Sequence, residues 1–211
     1  MLNNKIILVI SAHTDDGELG MGGTMSRLSK SGGQMLYWAF SSAAKSLPIG
    51  IEKEDIIREN KEALEVLGVR EIKLSDYEVR DFPEHRQEIL EELVNCGLNF
   101  DIVFMPDADL HQDHNVIHWE VRRAFKDKTI IAYEMARNSI DFHPDLFIEI
   151  DDDDIERKIA AISKYKSQLI KNGSRYLKRD FLTAQAKFRG GQGGYELAEG
   201  FKIIRMAHGL H

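Results

Sequence analysis

A short apolar run that gives way to a glycine-rich polar segment is the feature that most constrains the fold of this chain. Residues 6–10 read Ile-Ile-Leu-Val-Ile, and Ser-Ala-His-Thr-Asp-Asp-Gly-Glu-Leu-Gly-Met-Gly-Gly follows directly at 11–23. Short β-branched runs of this kind are typical of buried strands in a parallel sheet. Because a helical pattern comes next, the polar residues are expected at the carboxyl end of the strand, where open α/β sheets bind ligands.

The rest of the chain continues this alternation. Further strands are predicted at 34–41, 72–74, 101–107, 129–135 and 146–150. Helices are predicted at 18–31, 52–67, 88–98, 113–125, 155–170 and 174–189, and a flexible glycine-rich loop at 189–194. Alternating strands and helices indicate an α/β fold with a largely parallel, doubly wound sheet and helices on both faces. No linker or composition break interrupts the pattern, so we expect one domain over residues 1–211.

The composition of the chain excludes several classes of binding partner. The 211 residues have a formal net charge of −7, which argues against nucleic acid or an anionic membrane surface. Cys96 is the single cysteine, so no intrachain disulfide is possible. No apolar stretch has the length of a membrane span or of a secretory signal core. We therefore expect a cytoplasmic protein with a small-molecule substrate, and a homo-oligomer remains open.

Two polar clusters follow predicted strands and are expected at the same edge of the sheet. Together they contain six side chains able to bind a metal or carry protons: His13, Asp15, Asp16, His111, Asp113 and His114. A catalytic zinc takes three protein ligands and leaves a fourth position open for water. A set of His13, Asp16 and His114 would meet this need, and the metal would lower the pKa of the bound water to about 7.

The other three side chains would act on that water and on the substrate. Asp15 would be the general base. A protonated His111 would stabilise developing negative charge, and Asp113 would orient one of the histidines.

Several alternatives stay open at this point. His114 and His118 are four residues apart, which suits two ligands on one helix or two exposed helix positions. Asp107 and Asp109 leave room for a second metal, and hence for a phosphoesterase. A small-molecule binding protein without catalysis is the remaining functional alternative. Two such clusters at one sheet edge favour the metal-dependent hydrolase.

Other charged positions are expected to be structural. The carboxylates at 151–154 precede a helix, and a solvated N-terminal cap is favoured over a calcium site. The remaining histidines have no ligand-like neighbours and are expected to be surface or structural residues: His85, His143, His208 and His211.

The first cluster also resembles a known motif. Ala12-His-Thr-Asp-Asp-Gly-Glu-Leu-Gly-Met-Gly-Gly-Thr24 is similar to Ala-His-Pro-Asp-Asp-Glu-Glu-Leu-Gly-x-Gly-Gly-Thr of the LmbE-like, or PIG-L, zinc-dependent deacetylases, and His111-Gln-Asp-His114 resembles their His-x-Asp-His motif. Residues 58–69 are similar, in a shifted form, to the family's Arg-x-x-Glu-x-x-x-Ala-x-x-x-Leu-Gly helix. Weaker similarities lie at 165–168 and 198–201. Thr14 and Gly17 replace the motif's proline and first glutamate without removing a ligand.

This resemblance implies a Rossmann-like fold and the hydrolysis of an N-acyl group, usually the acetyl of an N-acetylglucosamine unit, by attack of a zinc-bound water. It makes His13, Asp16 and His114 the ligands of one zinc, or alternatively iron(II), per chain. It likewise makes Asp15 the general base and His111 the oxyanion stabiliser. We expect a small N-acetylated sugar or glycoside as substrate, with Arg58 and the loop at 41–50 near its polar groups.

Overall fold

Seven strands of the computed structural model form one mixed sheet. The structure describes residue 2 and residues 5–46, 50–170 and 174–207. The strands are β1 (Ile6–His13), β2 (Gln34–Ser41), β3 (Glu71–Leu74), β4 (Ile102–Pro106), β5 (Thr129–Tyr133), β6 (Leu146–Glu149) and β7 (Ala198–Arg205). Their order in the sheet is β3-β2-β1-β4-β5-β7-β6. The first five of these are parallel, and β7 is antiparallel to both of its neighbours.

Helices cover both faces of the sheet. They are α1 (Asp16–Lys30), α2 (Lys53–Val66), α3 (Arg86–Val94), α4 (Gln112–Ala124), α5 (Asp152–Ile162), the single turn α6 (Lys166–Leu169) and α7 (Arg179–Gly193). Shorter 3-10 turns lie at 44–46, 82–85 and 174–177. Among the helices of the described residues, none combines the length and the apolar character needed to cross a membrane.

The two-residue period of the strands divides the core into two layers. In β1, Ile7 and Val9 pack with α1, α2, α5 and α7, whereas Leu8 and Ile10 pack with α3 and α4. Both sets of side chains are fully buried. A strand that is apolar on both faces needs helices on both sides, so the doubly wound, largely parallel α/β fold is confirmed.

Three predicted elements differ clearly from the structure. The helix predicted at 174–189 is a 3-10 turn at 174–177 followed by α7, which begins at Arg179. The helix predicted at 155–170 is broken at 163–165, because Tyr165 turns inward and its hydroxyl donates to Glu18 and to the carbonyl of Thr14. The prediction of a glycine-rich loop at 189–194 is wrong, since α7 remains helical through Gly193. A Cβ on Gly193 would lie 2.7 Å from Phe147 of β6, so this glycine permits close packing of the helix on the strand.

The acidic segment before α5 acts as a helix cap. The Asp151 side chain accepts from the backbone of Asp154, and the Asp154 side chain accepts from the backbone of Asp151. The ammonium of Lys30 lies 3.0 Å from Asp151, 3.2 Å from Asp153 and 2.7 Å from Asp154. A cation of the chain itself thus occupies this cluster and offsets part of its negative charge, in agreement with the predicted cap.

Candidate metal centre

The candidate site lies where the sheet changes its direction of winding. Strands β1 and β4 are neighbours, but the helices that follow them, α1 and α4, pack on opposite faces. A crevice therefore opens at their carboxyl ends, the usual ligand position in such sheets. His13 ends β1, Asp16 begins α1, and His111 is the N-cap of α4.

Glycines in the first turns of α1 allow the helix to approach the sheet closely. A Cβ on Gly17 would lie 2.7 Å from the Tyr37 ring, and a Cβ on Gly20 would lie 2.1 Å from the Tyr133 ring. The glutamate that the family motif has at position 17 would therefore collide with Tyr37 in this chain. These glycines hold the start of α1, and with it Asp16, against the sheet.

Two imidazoles face one carboxylate at the base of the crevice. One ligand atom each from His13, Asp16 and His114 lies within 4.8 Å of the others, and all three residues are buried. Nδ1 of His13 is 3.5 Å from Asp16 Oδ2, and Nε2 of His114 is 3.4 Å from Asp16 Oδ1. This His/Asp/His donor set fits a zinc or iron(II) ion.

Each of these histidines places its second ring nitrogen against another carboxylate. His13 Nε2 is 2.9 Å from Asp113 Oδ2, and His114 Nδ1 is 2.7 Å from Asp109 Oδ2. Metal-binding histidines commonly have such a partner, which fixes the ring and raises its basicity. From the sequence we predicted this role for Asp113, but we considered Asp109 only as a possible ligand of a second metal.

The charges around the two imidazoles favour a cation between them. Burial lowers the pKa of His13, but the Asp16 carboxylate and the hydrogen bond with Asp113 outweigh it and raise this pKa to about 9. Burial likewise opposes protonation of His114, yet Asp16 and Asp109 raise its pKa to about 10. Despite its own burial, Asp16 has a pKa well below the usual value because both imidazoles face it.

His111 differs from its prediction in its charge. Burial, followed by the charges on His13 and His114, lowers its pKa to about 4, so the ring is neutral at pH 7. The backbone N–H of Asp113 donates to His111 Nδ1 at 3.2 Å, which leaves the ring proton on Nε2. The Asp113 carboxylate is 3.9 Å from the same nitrogen and binds His13 instead. The sequence predicted a protonated His111 oriented by that carboxylate, whereas the hydrogen bond at Nδ1 and the surrounding charges of the metal-free site favour the neutral ring.

The cluster forms the floor of a cavity of about 370 Å³. Asp15 lines this floor together with His13, Asp16, His111 and His114. The walls include these polar or aromatic residues: Ser46, Arg80, Arg137, Asn138, Gln168, Tyr176, Phe181 and Gln185. The volume suits a small molecule, and the floor places five chemically active side chains next to it.

Arg58 does not belong to this cavity. Its side chain is 62% exposed and pairs with Asp55 on the same helix. When the chain is aligned with the family helix on Glu59 and Ala63, the arginine position of that motif falls on Ile56, which is buried. The arginines that line the cavity are Arg80 and Arg137. Both lie in loops, and no sequence motif pointed to either of them. Of the loop at 41–50, Ala43 and Ser46 line the cavity, and 47–49 lie outside the described residues.

The other candidate ligands lie away from the cluster or are engaged. His118 Nδ1 is 3.3 Å from the Pro106 carbonyl oxygen and 3.4 Å from Asp107 Oδ1. Asp107 also faces Lys202, and Asp109 is committed to His114. Asp109 is thus engaged by His114, whereas Asp107 faces His118 and Lys202 and its buried Oδ1 has no hydrogen-bond partner. His143 is exposed as expected, His85 is half-buried and pairs with Glu88, and His208 and His211 lie outside the described residues.

Relatives in sequence are deacetylases. The chain is 28% identical over 172 residues to the uncharacterized deacetylase YaiS of Escherichia coli K12, covering 77% of this chain and 91% of that protein. It is 25% identical over 225 aligned residues to the diacetylchitobiose deacetylase of Thermococcus kodakarensis, covering 95% of this chain and 83% of the relative.

Solved structures share the fold. The N,N'-diacetylchitobiose deacetylase of Pyrococcus horikoshii superposes with a TM-score of 0.78 at 24% identity, covering 97% of this chain and 87% of that one. The 4-carboxy-2-hydroxymuconate hydratase GalB of Pseudomonas putida KT2440 gives 0.75 at 19% identity, covering 98% and 100%. At such identities the likeness establishes the fold, which evidently serves more than one reaction.

The model of one family covers both polar clusters. That family is PIG-L, described as GlcNAc-PI de-N-acetylase, and its model matches residues 8–125, more than half of the chain. The match includes His13, Asp16 and His114. The chain belongs to the PIG-L, or LmbE-like, family of de-N-acetylases.

Proposed function

We propose that the protein hydrolyses the N-acetyl group of a small N-acetylated amino sugar or glycoside, with one zinc ion held by His13, Asp16 and His114. Iron(II) is the alternative metal. The observation that carries the proposal is the buried donor set at the floor of an open cavity, in which each imidazole is supported from behind by a carboxylate. Zinc bound there would polarise the amide carbonyl and lower the pKa of a coordinated water.

Asp15 is the general base in this proposal. It lines the cavity beside Asp16, and it is the N-cap of α1 while Asp16 is the first residue of the helix. Its carboxylate accepts the proton of the attacking water as the oxygen bonds to the carbonyl carbon. When the C–N bond breaks, this proton passes to the amine nitrogen. The products are acetate and the free amino sugar.

His111 stabilises the negative charge that develops on the carbonyl oxygen. Because Nδ1 accepts from the backbone of α4, the proton of the neutral ring is on Nε2, and His111 lines the cavity. A donor fixed at a helix N-cap needs little reorganisation during the reaction. The role therefore rests on a directed hydrogen bond, where the sequence predicted a positive charge.

The experiment compares two adjacent carboxylates by acetate release from methyl N-acetylglucosaminide. We expect the zinc-loaded protein to release acetate, and Asp15→Asn to retain zinc while its rate falls by about 10²–10⁴-fold. Asp16→Asn should instead lose zinc on dialysis and regain part of its rate when zinc is added in excess.

Two outcomes would count against these assignments. Equal loss of zinc in both variants would mean that both carboxylates coordinate the metal. Absence of acetate release from every N-acetylated sugar tested, by protein that retains its zinc, would favour a binding protein or another reaction on the same fold.

A further inference from the structure

We propose that Arg80 and Arg137 form a subsite for an anionic oxygen group, so that the substrate is an N-acetylated amino sugar bearing a phosphate or a carboxylate. The inference deepens the proposed function and rests on it for the reacting amide. It is carried by the position, backbone and charge of two arginines on the cavity wall.

Arg80 occupies a backbone conformation that does not favour arginine. Its φ is +75°, and Ala43, at +56°, is the other non-glycine residue with positive φ in the described part of the chain. Both residues line the cavity. Such strain concentrates at functional sites, where the surroundings enforce it.

The turn at Arg80 requires the backbone groups of this residue but not its side chain. The Arg80 N–H donates to Asp113 Oδ2 at 2.7 Å, and its carbonyl accepts from the side chain of Gln112. Glycine would make both hydrogen bonds without strain. The turn therefore does not need the guanidinium. The guanidinium donates to Ser46 Oγ at 2.9 Å, and Ser46 also lines the cavity.

Arg137 approaches the cavity from the loop after β5. Its guanidinium carbon lies 4.9 Å from the centre of the Tyr176 ring, and Nη1 is 3.3 Å from the Tyr176 hydroxyl. Both residues line the cavity. An aromatic face that supports a guanidinium leaves its N–H edge available for a planar or tetrahedral anion.

Both guanidiniums on the cavity wall lack an anionic partner. Throughout the described residues, no carboxylate lies within ion-pair distance of either one. By contrast, the carboxylates at the metal centre face the two ligand histidines. The wall therefore presents two positive charges to a ligand, although the net charge of the whole chain is −7. An arginine fork binds phosphate or carboxylate through paired, charge-assisted hydrogen bonds.

The test uses Arg80→Gly, a variant that relieves backbone strain while it removes the guanidinium. Acetate release is measured with methyl N-acetylglucosaminide, with N-acetylglucosamine 1-phosphate and with the carboxymethyl glycoside. We expect one anionic compound to exceed the neutral glycoside in kcat/KM by at least tenfold, and the preferred compound distinguishes phosphate from carboxylate. In Arg80→Gly this ratio should fall roughly tenfold to a hundredfold, mainly through KM, with an unfolding midpoint equal to or above that of the wild type.

Arg137→Gln should lower the same ratio, and Arg58→Ala, outside the cavity, should leave it unchanged. Equal kcat/KM for all three compounds, or a ratio that Arg80→Gly does not alter, would overturn the subsite. If no compound releases acetate, the proposed function fails separately, and calorimetry on the zinc-loaded protein decides the inference. Tighter binding of an anionic compound that is weakened in Arg80→Gly supports it, whereas equal or undetectable binding overturns it.

Discussion

Each imidazole of the candidate metal centre lies between two carboxylates. Asp16 faces both rings, while Asp113 and Asp109 contact the far nitrogens of His13 and His114. This arrangement holds both rings as cations in the metal-free protein, since their pKa values are about 9 and about 10. A histidine binds a metal only through a deprotonated ring nitrogen, so metal and protons compete for the same nitrogens.

Zinc binding at pH 7 should therefore release about two protons per chain. Release should diminish as the pH rises through 9 and 10, because the two histidines are then already neutral. Calorimetric titration of metal-free protein in buffers of different ionisation enthalpy measures this number directly. Zinc uptake without proton release at pH 7 would show that the two histidines are neutral before the metal binds.

The identity of the candidate ligands was predictable from the sequence, but their surroundings were not. His13, Asp16 and His114 stand out by residue type and spacing within two short segments. The neutral state of His111 and the pairing of Asp109 with His114 depend on burial and on neighbours that only the folded chain brings together. Arg80 carries no sequence signal, because its significance lies in its backbone conformation and its place on the cavity wall.

The element that positions the metal centre is α1, and its glycines determine how closely it approaches the sheet. Tyr133 cannot move away from Gly20 easily, because its ring is fully buried and its hydroxyl donates to the Ile10 carbonyl at 2.8 Å. At 189–194 the sequence predicted a loop, but Gly190 and Gly193 of α7 likewise allow close packing, against the backbone of Glu196 and against Phe147.

Gly20→Ala should destabilise the fold by about 1–3 kcal/mol, because the added methyl group would lie 2.1 Å from a Tyr133 ring carbon. Gly191→Ala is the matched control. Gly191 is also helical, but no atom lies within 4 Å of its added Cβ, so alanine should stabilise α7 by up to about 1 kcal/mol. Denaturant unfolding of both variants measures the difference. A Gly20→Ala variant as stable as the wild type would mean that α1 is not held against the sheet in this way.

On the scale of the whole molecule, alternation along the chain predicted the class of fold but not the complete order of the sheet. The parallel strands and two-sided helix cover follow from local patterns. The insertion of β7 between β5 and β6 depends on pairing between residues far apart in sequence, such as Leu146 with Phe201. The cavity wall is equally non-local, since it joins Arg80, Arg137 and Tyr176 from separate loops.

We propose that one metal per chain, bound at the switch point of the sheet, drives de-N-acetylation. The most direct test of this proposal is the rate of acetate release from metal-free protein as zinc is added in measured equivalents. We expect negligible release before zinc is added, a linear rise, and a break at one zinc per chain, where His13, Asp16 and His114 are filled. Full activity in the chelated protein, or a rise that continues to two equivalents, would contradict a single-metal centre.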